Sequence, residues 1–201
     1  ENSWHGQVQP LSAITTAARC GREHGLVVHL DGARMMNAVV RLSISPAELV
    51  ADVDTVSLCL SKGLGAPVGT ILAGPKPFIR RAHRIRKLVG GGMRQAGVLA
   101  AAGLYALDHH IERLASDHHN ALRLAEQLAT IPGVTADPAA VETNMVFVDF
   151  AEGAGMRLRD HLTAKGMLIV ADSDHVRLVT HLDCGAEEID LFATEVRAFF
   201  G

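Results

Sequence analysis

Short apolar segments alternate with amphipathic helical segments through the first half of the chain. A helical pattern begins at Pro10 and is ended by Gly25, and an apolar strand follows over residues 26–30. Further helical segments lead to a second strand over residues 53–60, and a third strand follows over residues 69–73. Strands joined by helices at this spacing predict an α/β fold with a mainly parallel, helix-covered sheet, and a neighbouring antiparallel strand is also compatible with the pattern.

The second half of the chain predicts a different organisation. A helical pattern begins at Pro77, and an alanine- and leucine-rich tract over residues 95–131 predicts a long helix that links two domains. We expect the first domain to span residues 1–107, and the linker helix with a small C-terminal α/β domain to span residues 108–201. The elements predicted for the small domain are strands at 144–150, 167–170 and 175–180 and helices at 155–165 and 186–200.

Composition excludes several classes of partner. The chain has 201 residues, of which 48% are hydrophobic and 4% aromatic, and its formal net charge is −3. This composition gives no electrostatic bias toward nucleic acid or anionic membrane and few rings for base stacking. No apolar run approaches the roughly twenty residues of a membrane span, and no signal-peptide pattern is found, so we expect a cytoplasmic protein. The three widely spaced cysteines fit reduced thiols better than disulfides or a zinc site.

Two of the predicted strands end in groups that can do chemistry. Lys62 follows the second strand in a glycine-rich turn, where we expect the flanking residues to shield its amine partly from water, and Asp31 and Arg34 follow the first strand. If these strands are parallel neighbours, their carboxyl ends open on one crevice, where ligands bind in such sheets. An anionic carboxylate that pairs with a pyridinium nitrogen, together with a neutral lysine that forms an imine, is how proteins hold pyridoxal phosphate.

Each of these residues also has a simpler interpretation. A lysine at a strand end is usually a solvated surface charge, and Asp31 is well placed to accept hydrogen bonds from the first turn of a helix. The cationic side chains of the helix after Pro77 fit a solvated helix face as well as a phosphate site. Two Asp-His-His triplets, at residues 108–110 and 117–119, lack the spacing of a helical metal site, so we interpret them as solvated helix and expect no metal.

Three ordered segments carry a resemblance to a known family. Residues 29–34 read His-Leu-Asp-Gly-Ala-Arg, residues 58–69 contain Ser-Lys-Gly-Leu-Gly-Ala-Pro-Val-Gly, and residues 90–97 read Gly-Gly-Gly-Met-Arg-Gln-Ala-Gly. Together they resemble the low-specificity L-threonine aldolases, and the resemblance runs along nearly the whole chain. It implies an α/β fold of the pyridoxal-phosphate-dependent transferase type (fold type I), represented here by a partial large domain and a small C-terminal α/β domain.

The resemblance also implies the roles of individual residues. Lys62 would be the catalytic, cofactor-linked lysine, and Asp31 would pair with the nitrogen of the pyridoxal-phosphate ring. Lys87 and Arg94 match positions near the cofactor or the subunit boundary. Arg34 and Arg177 would bind the substrate carboxylate, although an arginine within an apolar strand also fits a structural ion pair. The expected reaction is cleavage of a β-hydroxy-α-amino acid such as threonine to glycine and an aldehyde.

Further expectations concern the remainder of the active site and the assembly. Family members have an amino-terminal segment before the point that corresponds to Glu1, with a phosphate loop and a histidine that stacks on the cofactor ring, and neither is identifiable here. His5 lies near a matching region without being in its motif, so the general base is not assigned. We expect a homodimer or homotetramer. The alternatives are another pyridoxal-phosphate lyase or aminotransferase, or a truncated and catalytically silent relative.

Overall fold

The computed structural model describes residues 6–201, which form two compact units. The first unit comprises residues 9–113, and the second comprises residues 114–201 together with residues 6–8. The expected domain boundary after residue 107 falls inside a helix, and the division lies a few residues later, after Arg113. No helix in the described part of the chain is both long and apolar enough to cross a membrane.

The first unit is a small α/β layer of three strands and five helices. In chain order its elements are α1 (Leu11–Glu23), β1 (His29–Asp31), α2 (Met35–Leu42), α3 (Pro46–Leu49), β2 (Thr55–Cys59), β3 (Thr70–Ala73), α4 (Lys76–Leu88) and α5 (Gly97–His109). Strand β2 is central, pairs in parallel with β1 and pairs antiparallel with β3. The β2–β3 connection, residues 60–69, contains no helix and is too short for a parallel crossover, which takes a dozen or more residues.

Local sequence explains how two of these helices begin and end. At the end of α1, Gly25 has a φ of +69°, and the Leu26 N–H donates to the Gly21 carbonyl at 2.9 Å, which closes the helix. At the start of α3, Ser45 and Glu48 cap each other reciprocally, since the Glu48 N–H donates to Ser45 Oγ at 3.2 Å and the Ser45 N–H donates to Glu48 Oε2 at 2.8 Å. Glycine therefore marks the end of α1, and serine marks the start of α3.

The second unit is an antiparallel sheet packed against helices. Its elements are α6 (Leu114–Leu128), β4 (Val134–Ala136), a 3₁₀ turn (Pro138–Ala140), β5 (Met145–Phe150), α7 (Ala154–Ala164), β6 (His175–Val179) and α8 (Ala186–Phe200). The strand order is β4–β5–β6, with both pairs antiparallel. Leu124 and Leu128 of α6, Val148 of β5, and Leu158 and Leu162 of α7 belong to one buried cluster. This cluster is the hydrophobic core of the unit.

Two predicted elements differ from the structure. The long helix expected over residues 95–131 is two helices, because α5 ends at His109 and α6 begins at Leu114. The break coincides with a long-range contact, since the His110 ring bonds to the carbonyl of Leu64 and turns toward the β2–β3 loop. The strand expected over residues 167–170 is an irregular segment whose residues do not pair with the sheet, and Leu168 and Val170 in it are 83% and 84% exposed.

Asp174 anchors the first turn of α7, and this contact predicts a pH-dependent stability. Asp174 Oδ1 accepts from the Gly155 N–H and Oδ2 from the Gly153 N–H, both at 2.8 Å. These bonds hold the pKa of Asp174 below its ordinary value. A carboxyl group with a lowered folded-state pKa stabilises the fold above its unfolded-state pKa of about 3.9, and that contribution is lost as the pH falls through the folded-state pKa.

Asp174→Asn should therefore lower the thermal midpoint at neutral pH, and the difference from the unsubstituted chain should shrink as the pH is lowered below about 4. Thermal unfolding followed by circular dichroism across this pH range measures both quantities. Asp172→Asn, two residues earlier and exposed, is the matched control and should leave the midpoint unchanged. A difference that stays constant across the range would contradict the assignment of the lowered pKa to Asp174.

Candidate active site

The parallel pair β1–β2 brings the two predicted reactive groups to one edge of the sheet. In the register of this pair, Leu30 lies opposite Val56 and Asp31 lies opposite Ser57. Asp31 is the last residue of β1, and Lys62 lies three residues after the last residue of β2. Both therefore lie at the carboxyl ends of neighbouring parallel strands, Asp31 as the last strand residue and Lys62 in the following loop, which is the position at which α/β sheets bind ligands.

Asp31 does not cap a helix. Its Oδ1 accepts a hydrogen bond from the Ala33 N–H at 3.1 Å, whereas α2 begins only at Met35. The alternative interpretation of Asp31 as a helix cap is thus wrong, and its exposed carboxylate has its second oxygen available at the sheet edge. Gly32 allows this turn, because a Cβ at this position would lie 2.7 Å from the Ser57 carbonyl oxygen.

Lys62 lies on the exposed side of the loop between β2 and β3. The buried side chains of this loop are those of Leu60, Leu64 and Ala66, which are 7%, 3% and 7% exposed. Lys62 itself is exposed, so the expectation that its flanking residues shield the amine is wrong for this unit. The reason is geometric: the apolar neighbours turn toward the protein interior and hold the backbone, and they leave the amine in solvent.

Most cationic side chains of the first unit have no carboxylate partner among residues 6–201. Arg34, Lys62, Lys87 and Arg94 are among them. Arg34 is half-buried, and a half-buried guanidinium without an anion is costly, so the position favours an anionic ligand. No hydrogen bond or ion pair seen in the described part of the chain joins Lys87 or Arg94 to the Lys62 loop. Their association with this loop remains a prediction.

Lys87 lies against the glycine-rich loop that follows α4. A Cβ on Gly92 would lie 2.9 Å from Lys87 Nζ, and a Cβ on Gly91 would lie 2.8 Å from Arg86 Cγ. The Gly91 N–H donates to the Arg86 carbonyl at 2.8 Å, which folds the loop back on the helix end. Gly92 thus leaves room for the ammonium group of Lys87 beside the backbone, and a larger residue there would displace this flexible side chain.

Arg177 lies in the second unit, on the exposed face of β6. The strand alternates between buried and exposed residues, with Val176 and Leu178 in the core and Arg177 outside it. Arg177 lines a cavity of about 670 Å³ within this unit, together with Lys165, His181, Cys184 and Glu188. Arg177 has an interaction partner in the structure. Its expected companion Arg34 belongs to the other unit.

Cys184 is the thiol in this cavity, and its surroundings make it a poor nucleophile. Burial, followed by the negative charges of Asp183 and Glu188, raises the pKa of Cys184. Its Sγ lies 3.5 Å from His181 Nε2. A thiol with a raised pKa stays protonated at neutral pH, and the thiolate is the reactive form. Cys184 therefore contributes to the wall of the cavity and not to its chemistry.

Buried polar contacts fix the strand that carries Arg177, and sequence reasoning missed them. The Thr180 hydroxyl donates to the Asp117 carbonyl at 2.6 Å, and Asn144 Nδ2 donates to the Thr180 carbonyl at 2.9 Å. Asp117 is fully buried and His110 half-buried, so the interpretation of the two Asp-His-His triplets as solvated helix is wrong for these members. No group of three or more potential metal ligands is found among the described residues. The sequence signal for these contacts was a polar residue at the end of an apolar strand, as Asn144 and Thr180 are.

Comparisons with known proteins show which family this chain resembles. The model of the beta-eliminating lyase family matches residues 1–151. The low specificity L-threonine aldolase of Escherichia coli O157:H7 is 46% identical over 199 residues, which are 99% of this chain and 59% of that protein. The low-specificity L-threonine aldolase 1 of Arabidopsis thaliana is 44% identical over 164 residues, 80% of this chain and 46% of that protein.

A solved structure agrees as well. A protein of Exiguobacterium sp. 255-15, which carries the provisional name aromatic amino acid beta-eliminating lyase/threonine aldolase, superposes with a TM-score of 0.80 at 26% identity. The superposition covers 97% of this chain and 59% of that one. The chain thus spans about 59% of the length of these bacterial relatives. Its fold is the predicted α/β fold of the pyridoxal-phosphate-dependent transferase type, and the chain belongs to the beta-eliminating lyase family.

Proposed function

We propose that this chain is part of a pyridoxal-phosphate-dependent threonine aldolase, which cleaves L-threonine, L-allo-threonine and similar β-hydroxy-α-amino acids to glycine and an aldehyde. The observation that carries the proposal is the position of Asp31 and Lys62 at the carboxyl ends of the parallel strands β1 and β2. The proposal is also supported by membership of the beta-eliminating lyase family and by the similarity to proteins that are named threonine aldolases. The reaction would place the protein in threonine catabolism and glycine formation.

The residues of the first unit fit pyridoxal phosphate by the chemistry of their donor set. The cofactor offers an aldehyde, a basic ring nitrogen and a phosphate, which require an amine, a carboxylate and cations. Lys62 provides the amine and Asp31 the carboxylate, while Lys87 and Arg94 are cations without a carboxylate partner in the described part of the chain. The space that Gly92 leaves beside the Lys87 ammonium also fits the binding of the cofactor by Lys87.

Each residue has a distinct role in this proposal. When bound, the cofactor supplies an electron sink for the substrate carbon whose bond breaks. Lys62 holds the cofactor through its amine and must lose its proton to do so. Asp31 stays anionic and keeps the proton on the ring nitrogen. Lys87 and Arg94 contribute positive charge toward the phosphate or at the subunit boundary.

Arg34 and Arg177 are the proposed binding groups for the substrate carboxylate. A planar guanidinium binds a carboxylate with two parallel hydrogen bonds, which fixes the orientation of the amino acid as well as its position. Arg177 faces a cavity of its unit, and Arg34 is half-buried without a carboxylate partner among residues 6–201. We assign no general base for the β-hydroxyl proton, since His5 lies outside the described residues.

The assembly and location are part of the same proposal. We propose a homodimer or homotetramer in the cytoplasm, with a small-molecule amino acid as substrate and no nucleic acid or membrane partner. Leu88, Val89 and Met93 support association, because they are 76%, 78% and 61% exposed on one short stretch of the first unit. Large apolar side chains exposed together are typical of surfaces that are covered in an assembly.

The reaction is tested by incubating the 201-residue chain with pyridoxal phosphate and L-threonine and measuring acetaldehyde and glycine. Equimolar formation of both products is expected. Formation of ammonia and a keto acid would instead indicate an eliminating lyase, and transfer of the amino group to an added keto acid would indicate an aminotransferase. Cofactor binding without turnover of any amino acid would indicate a catalytically silent chain.

The carboxylate contact is tested in the same assay with Arg177→Lys. This substitution keeps the positive charge but loses the bidentate hydrogen bonding to the carboxylate, so KM for threonine should rise by about tenfold or more. Cofactor binding should be unchanged. Arg157→Lys, an arginine on the exposed surface of the same unit, is the matched control. Equal KM values for the Arg177 variant and the unsubstituted chain would remove Arg177 from the substrate site.

A further inference from the structure

The loop that carries Lys62 is a tightly bonded turn. The Leu60 N–H donates to the Gly69 carbonyl at 2.9 Å, which closes the base of the loop, and the Ala66 N–H donates to the Leu60 carbonyl at 3.0 Å. Within it, the Gly65 N–H donates to the Lys62 carbonyl at 2.8 Å, and Gly65 has a φ of +71°. Lys62 is therefore the first residue of a four-residue turn, and the position of its side chain depends on the conformation of that turn.

Helix α5 packs against this loop within the first unit. A Cβ on Gly103 would lie 2.9 Å from Leu60 Cδ1, so the helix approaches the base of the loop as closely as a glycine allows. Leu64, in the middle of the turn, is 3% exposed, and Gly103 and Ala106 of the helix are buried as well. Apolar packing alone fixes the distance between helix and turn, but it is non-directional and leaves the orientation of the peptide groups open.

One side-chain hydrogen bond from the end of the helix adds to the backbone bonds that orient the turn. His110 Nδ1 lies 2.6 Å from the Leu64 carbonyl oxygen. A carbonyl oxygen can only accept, so Nδ1 carries the hydrogen in this contact. His110 is the C-cap residue directly after α5, and its own N–H donates to the Ala106 carbonyl at 2.9 Å, so the ring is attached to the helix end. The Leu64 carbonyl belongs to the turn that Lys62 and Gly65 close.

We propose that His110 is a positioning residue for Lys62: the hydrogen bond from its Nδ1 to the Leu64 carbonyl holds the 62–65 turn in the conformation that presents the lysine amine. The inference rests on the proposed function, because it matters for catalysis only if Lys62 holds the cofactor. His110 touches neither substrate nor cofactor in this role. It acts through the backbone of the turn. The adjacent His109 makes no hydrogen bond to the loop in the described part of the chain.

Two substitutions separate the hydrogen bond from the packing of the ring. His110→Phe keeps a ring of similar size beside Tyr105 but has no donor. His110→Asn loses the ring but places an amide N–H at the position of Nδ1. His109→Phe is the matched control, because His109 is exposed at the same helix end and its ring lies 4.4 Å from that of Tyr105. His110→Leu is a second donor-free variant in case the phenylalanine variant does not fold.

The first measurement does not involve the cofactor. Amide hydrogen exchange of Gly65 and Ala66, the donors inside the loop, should become about five- to tenfold faster in His110→Phe, as expected for the loss of one hydrogen bond. Exchange should remain near the original rate in His110→Asn and His109→Phe. Unchanged exchange in His110→Phe would overturn the inference, and equally fast exchange in the phenylalanine and asparagine variants would assign the effect to ring packing.

The second measurement connects the turn to Lys62. Each chain is mixed with pyridoxal phosphate, the adduct is reduced with borohydride, and mass spectrometry gives the labelled fraction of Lys62 relative to the exposed Lys76. His110→Phe should lower this ratio about fivefold or more, and His110→Asn should restore it. A ratio that does not change in His110→Phe would overturn the positioning role alone. The absence of preferential Lys62 labelling in the unsubstituted chain would overturn the proposed function, and hydrogen exchange would still decide whether His110 holds the turn.

Discussion

Lys62→Ala is expected to abolish the visible absorbance of the lysine-bound cofactor and to lower threonine cleavage by at least about a thousandfold. A group that forms a covalent bond to the cofactor cannot be replaced by binding contacts, and loss of such a group costs far more than loss of a single hydrogen bond. The substitution itself should be tolerated by the fold, because Lys62 is exposed and the loop is held by the buried side chains of Leu60, Leu64 and Ala66. Absorbance titration with pyridoxal phosphate and the acetaldehyde assay measure the two effects.

Lys62→Arg and Lys76→Ala are the controls for this result. The arginine variant keeps the positive charge but cannot form the covalent link, since a guanidinium is not deprotonated in proteins, so it should behave like the alanine variant. Lys76 lies at the start of α4, is exposed, and should be replaceable without effect. A cofactor band that persists unchanged in Lys62→Ala would refute the assignment of this lysine.

Leu158→Ala should have the largest effect on stability, and we expect it to lower the free energy of unfolding of the second unit by about 2–5 kcal/mol. Leu158 lies in α7, is fully buried and belongs to the core cluster that joins α6, β5, β6, α7 and α8. Alanine is at least as good a helix former as leucine, so the cost comes from the cavity and the lost apolar burial rather than from the helix itself. Urea unfolding followed by circular dichroism measures the change.

Leu168→Ala is the matched control for the core substitution. It removes the same atoms from the same unit, but Leu168 is 83% exposed, so the free energy of unfolding should change by no more than about 0.5 kcal/mol. Similar losses for the two variants would mean that position 158 does not belong to a close-packed core. A loss confined to Leu158→Ala would support the assignment of the core to the sheet and helices of the second unit.

The elements around the candidate site were largely predictable from the sequence, because their signals are local. The stop at Gly25 and the apolar runs predicted β1 and β2, and with them the placement of Asp31 and Lys62 at the carboxyl ends of these strands. The closing helix was predicted at residues 186–200, where α8 is found. Helical periodicity, capping residues and glycine stops act within a few residues of one another, so a single sequence contains them.

Other features were not predictable because they depend on contacts between distant residues. No glycine or proline interrupts residues 110–113, and the end of α5 is accompanied by the bond between His110 and Leu64, 46 residues apart. Residues 167–170 have the composition of a strand, yet strand pairing requires a partner edge, and a short apolar run does not specify one. The burial of Asp117 is likewise decided by packing against Thr180, 63 residues away.

The sequence by itself determined the α/β class, the order of the elements and the chemical groups at the ends of β1 and β2, because periodicity and glycine positions are encoded locally. The tertiary structure alone decided that β1 and β2 are parallel neighbours, that Asp31 does not cap a helix, and that the Lys62 amine is exposed on a turn bonded to the end of α5. These properties arise from strand pairing, close packing and hydrogen bonds between residues far apart in the chain, and local sequence patterns carry no information on which distant partner a residue meets.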